Sequence, residues 1–382
     1  MFERRLWRNL DYPLLMAVIM LMIFGILIIG SATRSGDVSA DPLYYVKRQI
    51  LFAALGLVAI LMIQFFDYGF FGRLANVLYG LNLAGLLVVA FVGRSALGGQ
   101  RWIDIGFFRL QPSEIGKVLI IITLAGFLRR REGRLGRPQD LIGPFIYAAI
   151  PVVLVLRQPD LGTSLVFVAI LFGMLYMAGA RARQLATIAG AGLLVVAAIL
   201  FLHFRYTIDL PIIRNFLRDY QMKRLVVFID PSIDPLGSGY HIIQSKIAVG
   251  SGGLFGKGLF AGTQNQLNFL PEQHTDFIFA VVSEELGFLG AIGLLVVYAF
   301  IIFRGIQIMA HAKDTLGTLL AAGVVTMLTF HVLVNVGMVA GIMPVTGIPL
   351  PFMSAGGSSL LANAAAIGLL LNVGMRRQKI LF

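Results

Sequence analysis

The chain has 382 residues, of which 58% are hydrophobic and only 13% charged. A soluble protein of this length needs a far larger charged surface, so the composition points to a polytopic membrane protein. With a formal charge of +12 and no cysteine, its electrostatic partner is expected to be anionic membrane lipid and not nucleic acid, and thiol chemistry, disulfides and thiolate metal ligation are excluded.

In chain order, the basic stretch 1–8 (Arg4, Arg5, Arg8) precedes an apolar run at 12–32. That run is too long for the core of a cleaved signal and is expected to be a retained first helix. Further runs follow at 46–66, 74–92, 114–128, 142–156, 161–179, 185–203, 276–303, 316–342 and 359–375. The expected fold is therefore all-α, a single domain over 1–382 with about ten transmembrane helices. The 43 glycines suit close helix packing in lipid.

If every run crosses, Arg129, Arg130, Arg131, Arg134, Arg137, Arg181, Arg183, Arg376, Arg377 and Lys379 share one side with the N-terminus. That side is expected to be cytoplasmic, with both termini inside. The other side carries 33–45, 93–113, 157–160, 204–275 and 343–358. Arg48, Arg101 and Arg109 sit there against the positive-inside bias. They fit either an anionic ligand outside the membrane or interfacial snorkelling.

The segment 204–275 is one large extracytoplasmic loop. In it Ile212, Ile213, Phe216, Leu217 and Tyr220 share a helical face, with Arg214, Arg218 and Lys223 off it. This pattern predicts an amphipathic helix lying on the membrane surface. The glycine-rich run 250–258 lacks a nucleotide-binding spacing, so a hinge is favoured over a phosphate cradle.

Lys117 falls inside a predicted span and needs a counter-charge. Glu114, three residues earlier, is the local candidate; Asp160, at the mouth of another span, is the tertiary one and is favoured. Asp276 ends the run Leu270-Pro271-Glu272-Gln273-His274-Thr275-Asp276, where an acidic, His-bearing loop enters a span. A carboxylate at such a mouth is a candidate general base, and a helix N-cap is the plainer alternative. Helical geometry puts Glu284 obliquely below Asp276, within reach of the same cavity, and turns Glu285 away toward another helix. Pro344, Pro349 and Pro351 stiffen the outer loop 343–358 into a lip or re-entrant turn.

Six motifs in order then carry a resemblance across essentially the whole chain. They are Arg101-Trp102-Ile103; Gln111-Pro112-Ser113-Glu114; Gln158-Pro159-Asp160-Leu161-Gly162; Gly239-Tyr240-His241-Ile242-Ile243-Gln244-Ser245; Leu270-Pro271 with His274-Thr275-Asp276-Phe277; and Pro344-Val345-Thr346-Gly347 through Gly356-Gly357-Ser358. Together they resemble the SEDS family (shape, elongation, division and sporulation). Within it, the short stretch before Tyr12 and the run 234–245 look more like the RodA branch than the FtsW branch.

The resemblance implies a peptidoglycan glycosyltransferase of cell elongation. It would polymerise lipid II on the outer face of the bacterial cytoplasmic membrane, beside a class B penicillin-binding protein. It maps the family's essential aspartate to Asp276 and its lysine–aspartate pair to Lys117 and Asp160. An α-linked donor and β-linked product imply an inverting displacement that needs a base and charge relief on the departing pyrophosphate. Asp276 is the expected base, and Arg48, Arg101 and Arg109 are the pyrophosphate or lipid II candidates. Glu272, His274 and Glu284 are acceptor-orienting candidates. A divalent cation (Mg2+ or Mn2+) is compatible with this chemistry, and no motif selects one. A lipid II transporter and a non-catalytic scaffold are the competing classes.

Overall fold

The computed structural model describes residues 7–34, 43–96, 99–106, 108–206, 219–230, 233–234, 237–267 and 269–377. Its helices are α1 (Tyr12–Ala32), α2 (Tyr44–Gln64), α3 (Tyr68–Arg73), α4 (Ala75–Val92), α5 (Pro112–Arg129), α6 (Ile142–Arg157), α7 (Leu161–Met177), α8 (Ala182–Tyr206), α9 (Asp219–Ile229), α10 (Ser238–Ser251), α11 (Thr263–Gln266), α12 (Ile278–Ala310), α13 (Thr315–Val339) and α14 (Gly357–Met375). The ten apolar runs coincide with α1, α2, α4 to α8 and α12 to α14. Seven of the helices are long and apolar enough to cross a membrane by length and composition, and α4 and α7 are shorter apolar ones. α5 carries Glu114 and Lys117 within its length. The protein is a multi-pass membrane protein.

Helix starts follow from local chemistry. Asp11 caps α1 by accepting from the Leu14 N–H at 3.1 Å, with Pro13 in the first turn. Asp160 caps α7 through Thr163 N–H, and Asp314 caps α13 through Gly317 N–H. Side chains also tie the helices together at the end of the bundle opposite the site. Arg304 grips Asp11 with two nitrogens, Arg376 pairs with Asp67 at 3.2 Å, and Tyr68 donates to Asp314. α13 and α14 form the interior: 67% and 83% of their apolar windows are buried, against 6% for the window of α8, which leaves almost all of its surface uncovered by the other described residues.

Three departures from the sequence expectation matter. A small antiparallel sheet, β1 (Arg94–Ala96), β2 (Gly99–Ile105) and β3 (Phe108–Leu110), stands in the 93–113 loop of the otherwise helical chain. Register places Asp104 opposite Arg109, and the two form an ion pair at 3.4 Å.

The predicted amphipathic helix centred on 212–217 lies outside the described residues; α9 and α10 are the helices described in that loop.

The glycine-rich run is no phosphate cradle, since its N–H groups at Lys257 and Gly258 are taken by protein carbonyls. α12 breaks at Gly287 (φ 68°, ψ −165°), and the run is spliced into the break. Lys257 N–H donates to Glu284 O at 3.0 Å and Gly258 N–H to Glu285 O at 2.9 Å. Phe288 N–H donates back to Gly253 O at 2.9 Å. A broken helix in a membrane needs such partners for its freed backbone groups. Gly256, itself at φ 79°, sits so close to Glu285 O that a Cβ has no room.

Candidate active site

The loops at one end of the bundle converge on residues 272–277. Glu272 takes a left-handed backbone (φ 51°), and its carbonyl accepts from the N–H groups of Thr275, Asp276 and Phe277. The next carbonyls are held by other elements. That of His274 accepts from Ala355 N–H at 2.9 Å, that of Thr275 from Ser354 Oγ at 2.6 Å, and that of Asp276 from Asn335 Nδ2 at 3.0 Å. Gln273 reaches back to the C-terminal carbonyl of α1, Ala32 O, at 2.7 Å. The segment 343–356 is non-helical, with Ile348, Leu350, Phe352 and Met353 buried, and it forms the stiff lip that the prolines predict.

Asp276 therefore precedes α12 without capping it: Phe277 holds the cap position, and α12 has no side-chain cap. Burial pushes the Asp276 carboxyl up to about 6 from 3.8; Arg224 opposes the shift, Glu272 adds to it, and Thr275 and Arg101 oppose it more weakly. A carboxylate with this value is poised to take a proton near neutral pH. Burial likewise lowers His274 and His241, against the charge of Glu272. His274 packs on Tyr45 at 4.4 Å between ring centroids, and His241 stacks on Phe277. Gly347, at φ 73°, faces the carboxylate: a Cβ there would lie 3.3 Å from Asp276 Oδ2 and 3.6 Å from Arg224 Nη1. Gly347→Ala is expected to cost about 1–3 kcal/mol of backbone strain and to crowd Asp276. Thermal unfolding of the purified variant beside its activity checks this, and an unchanged midpoint with full activity would refute it.

The other residues singled out from the sequence separate into different environments. Lys117 does not pair with Asp160. Its Nζ lies 2.8 Å from Glu114 and 3.0 Å from His331 Nε2, with the lysine 1% exposed. His331 Nδ1 is 2.7 Å from the carbonyl of Met327 one turn earlier, so it donates there and leaves Nε2 to accept from Lys117. Asp160 is instead surrounded by Gln111 (3.1 Å), Ser113 (3.4 Å) and Thr163 (2.9 Å), with Arg101 Nη1 at 3.8 Å. The short serine, glutamine and threonine donors on adjoining helix starts reach it first.

Glu284 does not share a cavity with Asp276. It accepts from Lys257 at 2.6 Å, from Thr263 and from Gln264 N–H, because the spliced glycine run brings those groups over it. Glu285 does turn toward another helix, accepting from Ser31 of α1 and from Asn265.

Among the expected anion-binding arginines, Arg101 donates to the carbonyls of Gln158 and Pro159, Arg109 pairs with Asp104, and Arg48 donates to Tyr44 Oη at 2.6 Å. Arg224 is the cation that acts most strongly on Asp276, and its Nη1 also reaches Val345 O at 3.3 Å. In the sequence it is one cation among many in a long loop. His331 and Asn335 carry no signal either, each being a lone polar residue in an apolar run.

Comparison with known proteins matches nearly the whole chain. The model of the cell cycle protein family FtsW/RodA/SpoVE covers residues 12–379. The peptidoglycan glycosyltransferase MrdB of Escherichia coli K12 is 39% identical over 371 residues, 97% of this chain and 95% of that protein. A chain of a peptidoglycan synthase complex, described as coordinating polymerization and crosslinking, superposes with a TM-score of 0.77 at 34% identity, over 96% of this chain and 97% of that one. The rod shape determining protein RodA of Thermus thermophilus gives 0.70 at 30% identity, over 97% and 98%. Matched along its length in both sequence and fold, the chain belongs to the FtsW/RodA/SpoVE cell cycle protein family, the SEDS proteins.

Proposed function

We propose that this peptidoglycan glycosyltransferase polymerises lipid II into glycan strands for cell elongation. It does so at the outer face of the cytoplasmic membrane, with both termini inside and a class B penicillin-binding protein as partner. The observation that carries the reading is a partly buried carboxylate, Asp276, raised to about 6 and fixed at the mouth of α12 beside Arg224 and the rigid lip.

In an inverting displacement, Asp276 takes the proton of the acceptor GlcNAc 4-hydroxyl as that oxygen attacks the anomeric carbon of the donor MurNAc. The bond to pyrophosphate breaks, and the lipid-linked pyrophosphate leaves with the electron pair. Arg224 keeps Asp276 ionised at rest and supplies positive charge to the phosphate oxygens as they depart. Among the described residues no group of three or more His, Asp or Glu side chains is arranged to hold a metal ion. A divalent cation in this reaction would draw its ligands mainly from the pyrophosphate itself, and none of the steps above passes through one. His274, on Tyr45, and Glu272, hydrogen-bonded by Thr275 at 3.2 Å, shape the wall on the acceptor side.

The test is lipid II polymerisation by the purified protein bound to its penicillin-binding partner. Glycan strands are expected; lipid II translocation without strands would favour a transporter, and neither activity from a partner-bound protein would favour a scaffold. In the same assay Arg224→Ala is expected to lose about 10²-fold in rate. Arg109→Ala should stay within a few-fold, since its exposed cross-strand ion pair is worth only about 0–1 kcal/mol. The reverse order would return the anion-binding role to the sheet.

A further inference from the structure

Asn335 lies on α13, is fully buried, and has no charge to offer a reaction. Its position is nonetheless specific. The amide Nδ2 donates to the carbonyl of Asp276 at 3.0 Å and to the carbonyl of Ile348 at 2.8 Å. Both neighbours are acceptors, so the amide can face them only nitrogen first, and both its hydrogens are used.

The two carbonyls belong to the two loops that meet at the carboxylate. Ile348 follows Gly347, which faces Asp276 Oδ2, and Val345 on the other side of that glycine is held by Arg224. One side chain on an interior helix thus ties the Asp276 main chain to the lip at Ile348, beside the direct bonds that Ser354 and Ala355 of the lip make to the two preceding carbonyls. The remaining ties of the loop hold His274 and Thr275, and Gln273 ties it to α1. None of those grips the Asp276 carbonyl.

We infer that Asn335 is a positioning residue for glycosyl transfer, locking the main chain of Asp276 to the lip so that the carboxylate meets the acceptor hydroxyl at a fixed distance. The inference rests on the reading of Asp276 as the base. A misplacement of about 1 Å can cost on the order of 10²-fold in rate when attack geometry is what the site supplies. Substrate affinity, which comes from lipid, sugar and phosphate contacts elsewhere, is untouched by this amide.

The experiment measures steady-state strand synthesis from lipid II by the full chain with its partner, for Asn335→Ala, Asn335→Ser, Asp276→Asn and the double variant Asn335→Ala/Asp276→Asn. Asn335→Ala is expected to lower kcat by about 10- to 100-fold with KM within two-fold of the parent. Asn335→Ser, which keeps one donor, should fall between. The double variant should be no slower than Asp276→Asn alone, because a residue acting through Asp276 has nothing left to position.

A rise in KM as large as the fall in kcat, full activity in Asn335→Ala, or a double variant slower than Asp276→Asn by the whole Asn335 factor would each overturn the inference. If Asn335→Ala does not fold, the kcat and KM of Asn335→Ser decide on the same criteria. A fully active Asp276→Asn would instead overturn the reading of the base, a result separate from any of these.

Discussion

Asp276→Asn is expected to slow strand synthesis by about 10²–10⁴-fold, the contribution of a general base, while leaving the folded protein at least as stable as the parent. The two halves have one cause. Burial raises the Asp276 carboxyl from 3.8 to about 6, so the fold favours its protonated form. At pH 7 the ionised group therefore destabilises the folded state. That penalty fades as pH falls through 6 toward 4, and asparagine, which cannot ionise, escapes it.

Activity runs the opposite way with pH. The base works only when ionised, so the rate should be full above about pH 7 and fall tenfold per unit well below 6. Strand synthesis across pH 4.5–8 (roughly the range that brackets this value), with thermal melts of both proteins, checks the pair of expectations. An asparagine variant that is active would remove Asp276 from the role, and one that melts below the parent would refute the stability half.

Lys117→Met should be the most destabilising exchange of a single polar group in the interior. Glu114, 3% exposed, loses its ammonium partner at 2.8 Å and is left as a buried charge, a loss of about 3–5 kcal/mol where one member of such a pair is removed. Adding Glu114→Gln should recover much of the loss, since the isolated charge is gone. Unfolding midpoints of the parent, the single and the double variant in one detergent decide the matter. A single variant as stable as the parent would mean that the pair contributes nothing net. A single variant not rescued by the second change would mean that Lys117 acts through packing.

Asp276, Lys117 and their partners differ sharply in how visible they are before folding. The spans were legible because lipid demands about twenty apolar residues per crossing, a local property that composition alone carries. Asp276 was legible for a similar reason: a carboxylate next to a span start is costly wherever the rest of the chain lies. The stiffness of 343–356 could be read from its prolines, since each fixes its own backbone angle. The sheet left a weaker trace, the strand-favouring Trp102, Ile103 and Ile105 with Gly106 at φ 58° after them, which the apolar runs on either side obscure.

Partners were another matter. Lys117 needed a counter-charge by physics, and its neighbour Glu114 meets that need, while Asp160 is surrounded by Gln111, Ser113 and Thr163. Glu284 is taken by Lys257 because a glycine run 27 residues earlier threads into the break at Gly287. Arg224 becomes the cation of the site, and Asn335 its clamp, only when α9 and α13 are brought to the same loop. Apolar length, charge cost and proline geometry are properties of short stretches, so the spans, the membrane class and the carboxylate at the mouth could be read before folding. Which cation faces that carboxylate, and which amide holds it, depends on contacts of 3.0 and 3.3 Å between residues up to 121 positions apart. Those the tertiary structure alone decided.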